Sequence, residues 1–594
     1  MSGNAQQGDT LLFDMSQSTE GTPQIFVRRD WLSILDNMNQ SYIGNQSIVD
    51  TSQLANSNKY MSYYEATIIL PLTLTLTQAT GVNWTVAGAQ GTSTGGDYIM
   101  GLKNWLGTVV HSFTLDYNGT TIIQQTPFIN LWNNFCLMTS FNYNDFTEWA
   151  SIGFYPDTST SFAFNQFIAA TPAGTNNGIG VSNNQNLVAP FVPSSTLGQA
   201  TIGNIGFLKR QQYFAYNGQA LGTSGNASYA SLIPQSAIEQ SYKSFIYNKV
   251  NGNTAAPTVG IIQQAIVGQI KLRHLHNFFQ EVPLLKGVFM KLTMNLNNSS
   301  FQFAYNGTAF TSLTNLVCPL GGTNPLMIAS AVANNGSAIL ATATYNASLA
   351  VGGKVINPAQ ASVVGIQQSP LLQSIMLNIP SYVFNPIYEQ AYLTASVKTI
   401  VYNDLYQYQV INVPANTNFN NLITNGISGI QTVLVLPFYN AGSLPTVGNA
   451  LTTPALAGNN GITPYQSPFS TEGGGTTSPL CLLGNFNVVI SGQNAIYNTE
   501  RYTYEQFTQQ LYGLNAVNGG LTDGVNSGLI NQQDFETMYN YYAVNVSRCL
   551  PIEEAVPKSV NIIGQNLSSL AVDLYVFVNY KTSVSIDILT GSRV

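Results

Sequence analysis

One stretch, Val109 to Met138, constrains the fold more than any other. His111, Phe113, Leu115 and Tyr117 alternate with Ser112, Thr114 and Asp116, the period of two expected of a half-buried strand. Asn118-Gly119 follows, a pair suited to a type I′ turn, whose two central residues need positive φ. Ile122 and Ile123 begin a return strand. Thr126 is a candidate N-cap with Pro127 at the first helical position. Phe128, Leu131, Trp132 and Phe135 then fall at i, i+3, i+4 and i+7, one apolar helix face. The unit reads as strand, tight turn, strand, short helix.

A related unit occurs later. Phe486, Val488 and Ile490 alternate with Asn487 and Val489, and Ser491-Gly492 supplies the turn. Thr503 and Gln506 read as a capping box, Tyr504, Phe507 and Leu511 as the helix face, and Gly513 as a candidate C-cap. A second landmark repeats in the same order: the alternating run Met290, Leu292, Met294, Leu296 has a counterpart in Val572, Leu574, Val576, Val578, Tyr580. Two diverged copies of one β-module is the reading this order supports; common hairpin chemistry arising twice is the alternative.

In chain order, residues 1–55 read as an N-terminal arm. Phe26, Trp31, Leu32 and Leu35 suggest a short amphipathic helix within it, capped by Asp30 and packed either on a neighbouring subunit or on its own domain. Residues 56–310 form the first module, with a clean strand where Leu70, Leu72, Leu74 and Leu76 alternate with Thr73, Thr75 and Thr77. A Gly-rich insertion at about 157–260 interrupts it, long enough to be a functional projection. Residues 311–365 read as a connector with some short strands. The second module, 366–594, opens on Ile375, Leu377 and Ile379. It continues through strands at 406–413 and 432–438, carries an insertion at about 441–479 and a Gly/Asn-rich loop at 513–531, and closes near Tyr580.

Charged residues make up only 8% of the 594-residue chain, polarity coming instead from Asn, Gln, Ser and Thr. Ordinary soluble domains carry about 25%, so charge-driven functions are disfavoured. The net charge of −7, with 19 Lys and Arg spread thinly, argues against an electrostatic grip on nucleic acid and against sequence-specific binding to it. No run approaches the roughly 18 apolar residues of a spanning helix, and the polar start, MSGNAQQGDT, lacks the apolar core of a secretory signal. Cys136, Cys318, Cys481 and Cys549 make no CxxC and read as buried free thiols.

The residue types needed for catalysis do not converge. There are three histidines; His111 sits mid-strand. His274 and His276 are two apart and would share a strand face, but Lys271 and Arg273 flank them and no carboxylate or Cys stands at ligand spacing. Glu553 and Glu554 are adjacent and would point apart on a strand, unlike a paired acid and base. Gly178-x-Gly180 and the Gly473-Gly474-Gly475 triplet lack the strand-to-helix setting of a phosphate loop. The expectation is an all-β chain with no catalytic, cofactor or metal site, and not an enzyme.

The stretches FTLDYNGTTIIQQTPFINLWNNF in the first module and IPSYVFNPIYEQAYL at the opening of the second resemble the double jelly-roll major capsid proteins of the virophage and polinton-like (Mavirus-like) lineage, over about residues 55–594. That resemblance implies two tandem eight-stranded jelly rolls with long loop insertions and a few short helices. Three chains would form a pseudo-hexagonal capsomer, a homotrimer, and capsomers would tile an icosahedral virion shell around a DNA genome, made and assembled inside the infected host cell. A different protein, a penton or minor capsid protein, would close the fivefold vertices. The insertions would form outward towers or clasps, and the arm would lie on the inner face. Some members lose a carboxy-terminal segment to a maturation protease; the chain given stops at Gly591-Ser592-Arg593-Val594, so such a segment would be absent or already removed. The reading from another class is a β-sandwich glycan-binding adhesin or tail-spike-like protein; an enzyme on a cupin-like scaffold would need a His/Glu set that three histidines poorly supply.

Overall fold

The fold was analysed in a computed structural model that describes residues 24–38, 42, 45–54, 57–78, 100–142, 153–156, 191–193, 200–202, 245–250, 260–286, 289–305, 310–317, 323–328, 343–351, 374–440, 466, 475–477, 481–496, 501–517, 528–537, 539–547, 555–588 and 592–593. Most of the expected insertions at 157–260 and 441–479 lie outside these residues. So do Gly178, Gly180, Gly473, Gly474, Cys318, Cys549, Glu553 and Glu554.

The first half contributes β1 (Phe26–Leu35), β2 (Gln46–Asp50), β3 (Thr67–Gln78), β4 (Val110–Tyr117), β5 (Thr120–Ile123), β6 (Gly260–Lys271), β7 (Met290–Leu296), β8 (Ser299–Tyr305), β9 (Phe310–Val317), β10 (Ala343–Val351) and β11 (Met376–Phe384). One antiparallel sheet has the order β2-β7-β4-β5. Facing it is a sheet in which β1 pairs β11, β11 pairs β3, and β3 pairs β6. Past the end of β11, the same edge of β3 takes β10, which continues to β8 and β9. Pattern dictates register: on β7, Met290, Leu292, Met294 and Leu296 are buried and the residues between are half-buried. Leu292 stands opposite Leu115, and a one-residue slip would turn this whole row outward.

The second half contributes β12 (Val397–Val413), β13 (Asn418–Ile427), β14 (Ile430–Tyr439), β15 (Leu483–Ile490), β16 (Gln493–Asn494), β17 (Tyr542–Asn545), β18 (Lys558–Asn566) and β19 (Val572–Asp587). Its sheets have the orders β12-β19-β14-β17 and β13-β18-β15-β16. Successive strands alternate between the two sheets except at the β15–β16 hairpin, and the last strand lies beside the first. This is the jelly-roll arrangement of two interleaved Greek keys. The first half has the same order, with β1-β11-β3-β6 and β2-β7-β4-β5 in the corresponding places. The chain is a double jelly roll, and the repeated hairpin is the pair β4–β5 and β15–β16.

At both hairpin tips the backbone is left-handed: φ is 45° at Asn118 and 80° at Gly119, and 48° at Ser491 and 85° at Gly492. Each hairpin leads to a helix, α1 (Ile129–Ser140) in the first half and α3 (Tyr504–Val517) in the second. Between the halves, α2 (Pro386–Leu393) starts at Asn385, whose side chain accepts from the Ile387 amide. A short α4 (Gln532–Thr537) packs on α3, with Phe507 stacked on Phe535 at 4.7 Å.

Several sequence expectations are corrected. The arm segment is not a helix capped by Asp30: Phe26–Leu35 is a strand, because β11 offers it a full antiparallel edge from Phe384 to Met376. For the same reason Ile375, Leu377 and Ile379 do not open the second module; β11 is the last strand of the first jelly roll. In the expected connector, 311–365, the strands Phe310–Val317 and Ala343–Val351 extend the sheet of β3 rather than link two modules. Thr126 is not the cap of α1. That position belongs to Phe128 at φ 57°, with no side-chain cap, while the Thr126 hydroxyl donates to the Leu405 carbonyl of β12. Thr503 does accept from the Gln506 amide, at 3.5 Å, but Gly513 lies inside α3, not beyond its end.

Candidate functional site

The chain's most elaborate constellation is the seam between its two jelly rolls. α1 is buried nearly all round, with only Ser140 exposed and Trp132 and Cys136 half-buried. On its far side β19 is buried on both faces from Val572 to Asn579. Aromatic pairs join them: Phe128 meets Tyr575 at 4.9 Å, Trp132 meets Phe577 at 6.3 Å, and Phe135 meets Tyr541 at 5.4 Å. Such pairs add about 0.5–1.5 kcal/mol each beyond the area they bury. Polar groups at the seam are matched too. The Tyr402 hydroxyl donates to the Ile122 carbonyl at 3.1 Å, and the Asn403 amide donates to Asn277 Oδ1 at 2.8 Å. The Asn134 side-chain amide donates to the Gly475 carbonyl and to the Tyr541 hydroxyl.

All three histidines lie at or beside this seam. His276 is buried and its Nε2 is 3.3 Å from Asp404 Oδ1 of β12, while its Nδ1 accepts from the Phe278 amide at 3.1 Å. An accepting Nδ1 places the ring proton on Nε2, so the imidazole donates to the carboxylate. Asp404 also accepts from its neighbour Leu405's amide and from the Tyr580 hydroxyl. His111 is buried edge-on to Phe128, and burial pushes its pKa down to about 4. His274 packs edge-on to Phe141; burial, with Arg273 and Lys271 nearby, pushes it down to about 3.

His274 and His276 therefore do not share a strand face. The chain leaves β6 through a 3-10 turn at Leu272–His274, and His276 turns to Asp404. Both line a cleft of about 580 Å³ between the jelly rolls, with Trp132, Cys136, Arg273 and Asn403 among its walls. No group of three His, Cys, Asp or Glu converges among the described residues. Cys136 and Cys481 are free thiols, and burial pushes Cys136 up to about 12, away from a reactive thiolate. No helix among the described residues is long and apolar enough to cross a membrane. What the arrangement does chemically is lock two sandwiches side by side. Sequence reading missed the seam because its partners are hundreds of positions apart; the one visible signal was the α1 helix, apolar beyond the needs of a single face.

No family model matches the chain, and no curated protein matches it. Among solved structures it is similar to a chain in the Sputnik virophage structure, at 12% identity and a TM-score of 0.48, covering 98% of this chain and 90% of that one. It is similar to the mavirus major capsid protein at 9% identity and a TM-score of 0.42, covering 98% and 92%. The Faustovirus major capsid protein matches at 9% identity and a TM-score of 0.40, covering 96% and 92%.

Proposed function

We propose that this chain is a viral major capsid protein that forms a homotrimer, a pseudo-hexagonal capsomer tiling an icosahedral shell around a DNA genome. The observation that carries the reading is the seam: two jelly rolls of identical strand order, fixed side by side by Phe128, Trp132 and Phe135 against Tyr575, Phe577 and Tyr541. A rigid pair of like modules is a building block for a ring, since a head-to-tail contact that repeats by rotation closes on itself. The low charge suits it, because copies packed at high density then repel little. Its role is assembly and enclosure rather than turnover. Its partners are copies of itself and a separate penton protein at the fivefold vertices, and its place is the virion shell, assembled in the infected cell.

Light scattering behind a sizing column tests this directly. The purified chain is expected at three times its 64.1 kDa, with hexagonal outlines in negative stain. A monomer at every concentration would overturn the proposal, and a glycan-array signal from that monomer would favour the adhesin.

A further inference from the structure

Among the described residues, the seam has two sides, and each has a counterpart in the other jelly roll that leaves side chains exposed. The first jelly roll contributes α1; the second receives it on the sheet face of β12 and β19. The counterpart of α1 is α3, which also follows the repeated hairpin. Unlike α1, it leaves Glu505 and Gln509 exposed, beside Gln532 and Glu536 of α4. The counterparts of β12 and β19 are β1 and β11. Where β19 is buried on both faces, β1 exposes Val27 at 61%, Trp31 at 56% and Leu35 at 56%. Trp31 is paired with Pro380 and Arg29 with Tyr382, so these side chains stand on one outward face.

We infer that the outward face of β1 and β11 docks on the α3–α4 surface of a second copy of this chain, repeating between chains the contact that α1 makes within one. This deepens the capsomer reading and rests on it. Two properties of the surfaces fit that occupant. Beside α3 and α4 is a depression of about 260 Å³ walled by Tyr504, Phe535 and Leu567 and rimmed by Arg501, Glu505 and Glu536. Leu567 is itself 44% exposed. Trp31 is the large aromatic side chain that the opposing face holds out, and an indole seated in an apolar pocket with a polar rim is a common anchor of protein interfaces. Charge fits as well. Arg29 stands on the outward face beside Trp31 and stays half-exposed in its ion pair with Glu65, whereas Glu505 and Glu536 outnumber Arg501 around the depression.

Sedimentation equilibrium on the full chain tests the docking, with circular-dichroism melting as a folding control. Trp31→Ala removes an exposed side chain and is expected to weaken self-association about tenfold or more while the melt stays cooperative. Glu505→Lys with Glu536→Lys is expected to weaken it too, and adding Arg29→Glu to that chain to restore part of the loss. If the unaltered chain is trimeric and neither set shifts its dissociation constant, the docking surface is wrong while the capsomer stands. If the unaltered chain is monomeric throughout, the capsomer reading fails and this inference falls with it.

Discussion

Asp404 is 7% exposed, yet it has three donors: His276 Nε2, the Leu405 amide and the Tyr580 hydroxyl. A buried carboxylate persists when its lone pairs are filled. Removing the imidazole leaves that charge short of a partner, so His276→Ala is expected to cost about 2–4 kcal/mol, seen as a lower denaturant midpoint at pH 7. His111 provides one part of the pH dependence and His274 another, since burial holds both below the ordinary imidazole value. The folded pKa of His111, about 4, lies below the unfolded value of about 6.5, so the unfolded chain binds the proton more readily. The stability associated with neutral His111 is complete above pH 6.5 and is lost as pH falls towards 4, by about 3 kcal/mol at most. Urea unfolding at pH 7 and pH 5 is expected to show the loss, and His111→Phe to reduce it. If the variant's pH slope equals the parent's, His111 is not one of the groups responsible.

Turns and alternating strands were legible because their causes are local. Gly119 and Gly492, at φ 80° and 85° with nothing within 4 Å of an added Cβ, are required by backbone conformation alone. Gly119→Ala is therefore expected to cost about 1 kcal/mol, measured by thermal melting. A mutation costing nothing would mean that the turn relaxes to another type. β3, β4, β7, β15 and β19 were visible for a similar reason: each carries an apolar row at alternate positions, and the period of two records it even in β3 and β19, where the other face is buried too. β1 was not. Its exposed Val27, Trp31 and Leu35 are spaced four apart and imitate a helix stripe, while the residues facing inward include Leu32 and Ile34. What decides the matter is the edge of β11, and non-local pairing of this kind leaves no mark within a short window. The seam was hidden in the same way: Phe128 needs Tyr575, and neither residue's neighbours indicate the other.

The two jelly rolls differ in how the chain closes them. The second is built from one continuous run, β12 to β19. The first takes its final strand from beyond β8, β9 and β10. A fragment of residues 1–394 is therefore expected to melt cooperatively, and a fragment of residues 1–365, which lacks β11, is not; equal melts would refute the assignment of β11 to the first jelly roll. The same strand sets a timetable. The Ser381 hydroxyl on β11 reaches the Asp30 carbonyl on β1 across 351 positions of sequence. At a synthesis rate of about 5–20 residues per second, β1 waits roughly 20–70 s on the ribosome before its partner emerges. Throughout that interval the ten-residue edge of β1 lacks its partner and stands open to other nascent chains. Where many copies are translated side by side, the exposure of each β1 edge to its neighbours therefore lasts until the nine-residue β11 emerges to pair with it.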